Sequence, residues 1–94
     1  MKTYNFNGSE VTVKVITSIC PNRIQLNGAV DGVPYAIATV NIPELINVEG
    51  YVAVKDYSEN EGMLKFLIDN DFVEPPVTYV ESGYVKLPIC KIKI

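Results

Sequence analysis

Apolar and polar residues alternate through most of the chain. In residues 9–19, Val11, Val13, Val15, Thr17 and Ile19 share one face, against Glu10, Thr12, Lys14 and Ser18, with Ile16 out of step. The preceding segment, residues 2–6, ends at Asn7-Gly8, a dipeptide that supplies the two positive-φ residues of a type I′ turn. A two-residue loop there sets Phe6 against Ser9 and Tyr4 against Val11, so both aromatics join the valine face as core. Pro21, which has no N–H for a ladder, and Asn22 close this strand.

A second hairpin is expected from residues 24–30 and 33–42, joined by Asp31-Gly32 as another I′ turn. Counting back from that turn pairs Val30 with Val33, Gly28 with Tyr35, Leu26 with Ile37 and Ile24 with Thr39. The burying face is then Ile24, Leu26, Val30, Val33, Tyr35 and Ile37, with Tyr35 covering the bare backbone of Gly28. The reverse face carries Arg23, Gln25 and Asn27 opposite Val40, Ala38 and Ala36. Its flat alanines suit the close approach of the protein's own helix.

Pro43 and Gly50 break the alternation, so residues 43–50 read as a loop and 51–55 as a short strand. The polar run that follows has the grammar of a helix start. Ser58-Glu59-Asn60-Glu61 fits the S-x-x-E capping box, with Glu61 and Lys65 as an i,i+4 pair. It accounts for every polar residue of the run except Asp56 and Asn60. Met63, Leu64, Phe66, Leu67 and Ile68 give the apolar face of a helix over about residues 59–69. A calcium loop beginning at Asp56 fails, because its sixth and twelfth places hold Glu61 and Leu67 rather than glycine and glutamate.

Beyond the helix, Pro75-Pro76 marks an extended connector, residues 77–81 a strand, and Ser82-Gly83 a turn. In the last strand Val85, Leu87 and Ile89 hold one phase, and Cys90, Ile92 and Ile94 the other. Pro88 lies beside this slip, which predicts a bulge or bend. The fold expected is α+β: one domain over residues 1–94, an antiparallel sheet of five or six strands with two I′ hairpins, and one main helix on one face.

Composition narrows the chemistry. Ninety-four residues, 48% of them hydrophobic, suffice for one core and no second domain. No apolar run reaches the roughly 18 residues of a membrane span. The N-terminus lacks the apolar stretch of a secretion signal, which points to the cytoplasm and to reduced thiols at Cys20 and Cys90. Without histidine, Ser-His-Asp and Cys-His nucleophiles and histidine-ligated metals are excluded, and two cysteines make no four-thiolate site. No phosphate-binding glycine motif is present. The sequence therefore predicts no enzyme, no catalytic residue, no metal and no cofactor.

Net charge is −3, unevenly spread. Residues 44–81 hold nine acids against two lysines, while the six other bases are scattered over three segments. That scatter argues against nucleic acid as a partner. The acidic middle suits a partner with a basic surface, and the contact residues expected are Asp56, Glu59, Asn60, Asp69, Asp71 and Glu74.

The stretch VKDYSENEGMLKFL (residues 54–67), the segment AIATVNIPE (36–44) and the terminal Ser82-Gly83-Tyr84…Pro88…Lys91 together resemble a small bacterial family of unknown function carried by conjugative elements, plasmids and phages. The resemblance brings no catalytic residue. It implies an accessory gene of mobile DNA, and with it a binding module that disables a host defence component, of anti-CRISPR or related type. Two alternatives stay open. One is a binder of small molecules or nucleotide signals, built on Tyr51, Tyr57, Tyr84, Arg23 and Lys86. The other is a structural role for the mobile element.

Overall fold

The computed structural model describes residues 2–16, 22–45 and 49–93. The expected continuation of the long strand through Ile19, the turn at Pro21, the thiol of Cys20 and the last apolar residue, Ile94, lie outside them. Among the described residues, eight strands form two antiparallel sheets rather than one. The first sheet has the order β1-β2-β3-β4, from Tyr4–Phe6, Ser9–Ile16, Arg23–Gly28 and Pro34–Ile37. The second has the order β5-β6-β8-β7, from Thr39–Val40, Tyr51–Val54, Val85–Lys91 and Thr78–Ser82. The α-helix α1 (Met63–Asp69) is preceded by a 3-10 turn at Ser58–Asn60.

The split into two sheets happens at one residue. The alternating run 33–42 reads as a single strand, but the chain leaves the first sheet and enters the second at Ala38. The Ala38 N–H donates to the carbonyl of Ile24 at 2.9 Å, and its own carbonyl accepts from the Lys55 N–H at 2.8 Å. Ala38 is fully buried between the sheets.

The first hairpin forms as its pattern requires. Phe6 pairs with Ser9 and Tyr4 with Val11, and Asn7 and Gly8 take φ values of 51° and 88°. Phe6 and Val11 are core, with Tyr4 packed against them.

The second hairpin departs from expectation by one residue. Gln25 pairs with Ile37, Leu26 with Ala36 and Asn27 with Pro34, leaving Tyr35 with no residue of its own opposite in β3. Its tip is a four-residue loop, not an I′ turn. Gly28 N–H donates to the Val33 carbonyl (2.8 Å), Gly32 N–H to the Gly28 carbonyl (2.9 Å), and only Gly32 of the expected pair has positive φ. The Asp31 carboxylate accepts from the Val33 N–H at 3.0 Å, an Asx turn. It is Asp31, not Tyr35, that lies over Gly28, where an added Cβ would meet the Asp31 Oδ1 at 2.6 Å.

A slip of one residue turns each side chain to the other face. Ala36 and Ala38 therefore join the core with Ile24, Leu26 and the helix, while Val30, Val33, Tyr35 and Ile37 are exposed. The alanines do meet the interior, but Arg23, Gln25 and Asn27 do not share their face.

The main core lies between the sheets and α1. Ile24 and Leu26 come from the first sheet; Val52, Val54 and Cys90 come from the second; Met63, Phe66 and Leu67 come from the helix. Tyr4, Phe6, Phe66 and Phe72 form a ring cluster with centroids 5.0–6.3 Å apart. A second cluster, with Ala53, Leu87 and Ile89 joined by Ile42 and Leu45, closes the other face of the second sheet.

This two-sided burial explains the phase slip of the last strand. β8 has no bulge: its pairing with β7 runs unbroken from Ser82↔Val85 to Thr78↔Ile89. Leu87 and Ile89 enter one cluster and Cys90 and Ile92 the other, because a central strand is buried on both faces. Pro88, with no N–H, sits just before the point where pairing with β6 begins at Ile89. The turn before β8 is Gly83-Tyr84, one residue later than the sequence indicates, with Gly83 at φ 61°.

Candidate functional site: an edge groove beside the helix start

The polar run before α1 folds differently from a capping box. Ser58 has φ +58° and belongs to the 3-10 turn, where its carbonyl accepts from the Glu61 N–H at 3.2 Å. The helix starts only at Met63, after Gly62 at φ +92°. Its orphan amide at Leu64 donates to the Asp56 Oδ1 at 2.9 Å. Asp56, one of two residues the capping box leaves over, is therefore the group that satisfies the helix start, and its charge suits the dipole. Lys65 pairs with Asp69 at 2.6 Å, not with Glu61, and that contact holds its ammonium above the usual range.

These roles make a direct test. Asp56→Ala lowers stability by about 0.5–2 kcal/mol, the usual cost of losing a side-chain cap. Ser58→Ala stays within about 0.5 kcal/mol, because the exposed side chain caps nothing and alanine carries the same Cβ at the positive φ. Chemical denaturation of the two variants checks the order.

The second leftover residue is Asn60. It is 1% exposed, and its Nδ2 donates to the carbonyl of Ile37 at 2.7 Å. This bond ties the 3-10 turn to β4, an edge strand of the first sheet. Between them runs a groove of about 380 Å³, lined by residues 34–37, Thr39 and Val40 on one side and by Lys55, Glu59 and Asn60 on the other. Lys55 and Glu59 bridge its rim at 2.5 Å. The hydrogen bond from Lys55 holds the Glu59 carboxyl below the usual range, and the same bond raises Lys55. The Lys55 ammonium also lies 5.6 Å from the centre of the Tyr57 ring.

The six expected contact residues fall into two groups at opposite ends of α1, a helix about 10 Å long at 1.5 Å per residue. Asp56, Glu59 and Asn60 sit at its start. Asp69 and Asp71 sit at its end, with Glu74 beyond, its N–H on the Lys91 carbonyl. Asp71 has φ +62° and pairs with Lys93 at 3.3 Å. With Glu59 and Asp69 also paired to lysines, the local field is weaker than the acid count suggests.

The five residues of the nucleotide reading do not converge. Tyr51 and Tyr57 pack on the second core cluster, Tyr84 is fully exposed at a hairpin tip, and Arg23 and Lys86 lie on different sheets. None of them lines the groove. Sequence reasoning missed Tyr35 and Ile37 as surface residues, because nothing in the alternation marks the extra residue at Tyr35. Among the described residues no cluster of acids and cysteines suits a metal, and no helix is long and apolar enough to cross a membrane.

Cys90 is a core residue whose thiol is pushed up to about 11 by burial. An unfolded thiol titrates near its ordinary 9.0, so as pH rises the unfolded state loses its proton first. The thiol therefore leaves stability unchanged below about pH 9 and lowers it between about 9 and 11. In a Cys20→Ser background, denaturation midpoints should fall over that interval, and Cys90→Ala should remove the thiol's part of the fall.

No family model, curated protein or solved structure matches the chain.

Proposed function

We propose that the protein is a non-enzymatic binding module, an accessory protein of a phage or other mobile element that acts in the cytoplasm by docking on a host defence protein. The observation that carries the binding reading is the concentration of exposed apolar side chains on the β3–β4 hairpin. Val30, Val33, Tyr35 and Ile37 are all exposed there, while Ile24, Leu26 and Ala38 beside them are fully buried. Exposed apolar surface next to a groove is a feature of protein interaction sites. The mobile-element setting, and defence as the target, come from the family resemblance. Glu59 at the groove and the other acids of the middle segment favour a partner with a basic surface.

The test is affinity capture of the tagged chain from host lysate, with mass analysis of protein and small molecules recovered. A stoichiometric host protein, lost when Tyr35 and Ile37 are both changed to lysine in a chain that keeps its circular dichroism, is the expected result. A bound nucleotide with no protein partner overturns the reading.

A further inference from the structure

We propose that Asn7 is a site of spontaneous covalent modification: the Gly8 backbone nitrogen attacks its carboxamide, and the residue ends as aspartyl or isoaspartyl. The chain holds two Asn-Gly dipeptides, Asn7-Gly8 and Asn27-Gly28, and the fold leaves the first open while locking the second. Glycine makes both of them reactive in principle, because no side chain hinders the approach of its nitrogen to the neighbouring carboxamide. This site is independent of the binding reading.

The step needs only water. The Gly8 nitrogen bonds to Asn7 Cγ, the Cγ–Nδ2 bond breaks, and ammonia departs carrying the amide proton. A cyclic imide remains. Water then opens the imide at one of its two carbonyls. Opening at Cγ leaves aspartate, and opening at the backbone carbonyl leaves an isoaspartyl link, a methylene longer along the main chain.

Asn7 and Gly8 are exposed at the tip of the β1–β2 hairpin, and β1 is an edge strand of three residues. The Gly8 N–H donates to a side chain, the Asn5 Oδ1, at 3.1 Å, and a Cβ built on Gly8 would meet nothing within 4 Å. Asn7 Nδ2 donates to the Glu61 carbonyl at 3.0 Å. Attack therefore waits only on the release of two exposed side-chain bonds, a local opening of an edge hairpin.

Asn27-Gly28 lies in β3, with β2 on one side and β4 on the other. Its Gly28 N–H is held by the Val33 carbonyl at 2.8 Å, and the next amide, Ala29, by the Glu10 carbonyl at 3.0 Å. The Asn27 Oδ1 accepts from Gln25 Nε2 at 2.9 Å. Freeing this dipeptide means parting β3 from its neighbours. Conversion at Asn7 has a consequence for the fold, since it replaces the donor on the Glu61 carbonyl by a carboxylate oxygen. The first hairpin then loses its tie to the turn before α1.

The test is incubation of the full chain in mildly alkaline buffer, sampled over days by proteolytic mapping and mass spectrometry. Asn7 should exchange its amide nitrogen for oxygen at least about tenfold faster than Asn27 in the native chain. In urea, where each asparagine simply precedes a bare glycine, the two rates should agree within about twofold. Both aspartyl and isoaspartyl products should form at Asn7. Equal native rates, a faster Asn27, an Asn7 that converts only in urea, or aspartyl as the sole product overturns the proposal. Asn7→Asp should lower the denaturation midpoint as the converted chain does, and an unchanged midpoint overturns the loss of the tie.

Discussion

Ala38→Lys should destabilise the protein by at least about 3 kcal/mol and leave little folded chain, because it forces an unpaired charge into a site with no room for it. Val30→Lys, eight residues earlier on the same hairpin, should change stability by no more than about 0.5 kcal/mol. Ala38 is fully buried with both backbone groups bonded, whereas Val30 is 99% exposed. An I′ turn at Asp31-Gly32 with Val30 facing Val33 in the core demands a comparable loss for Val30→Lys. Urea denaturation of the two variants thus reads out the register of the second hairpin. Comparable losses in both would refute the bulged pairing.

Asn60→Ala should cost about 1–3 kcal/mol, large for a polar residue in a turn, because it strands the Ile37 carbonyl that Asn60 Nδ2 now satisfies. Asn60→Asp should be worse at neutral pH, since it sets a carboxylate oxygen against that carbonyl. Glu59→Ala, next in the chain, removes only an exposed ion pair worth about 0–1 kcal/mol. The measurement is the urea midpoint, with the slope unchanged so that the shift reflects stability alone.

The first hairpin was fully legible because Asn7-Gly8 fixes the loop at two residues, and alternation then fixes each pair. The β3–β4 hairpin carries the same kind of signal, yet its register was not legible. Asp31-Gly32 resembles the same turn, but Asp31 spends its side chain on the Val33 amide, and the loop grows to four residues. Tyr35 then adds an unpaired residue, and nothing in the sequence distinguishes it from its paired neighbours. The apolar face of α1 was readable at Met63, Phe66 and Leu67, which are buried as the period demands. Its start was not, because a capping box and an Asp56 cap draw on the same crowded run of polar residues. The candidate groove was hidden for a related reason. Asn60 lies 23 residues from the carbonyl it bonds, and no local pattern records a contact of that span. The last strand illustrates the opposite case. Its two phases were correctly seen, but two phases in a row describe a strand covered on both sides as well as one that bends.

Ala38, whose backbone is shared between Ile24 and Lys55, bears on how the molecule opens. With N–H on one sheet and carbonyl on the other, neither sheet can separate from its neighbour without breaking a bond at this residue. The amide protons of Ala38 and Lys55 should therefore exchange with solvent at one common, slow rate set by global unfolding, while those of the β3–β4 tip exchange through local fraying.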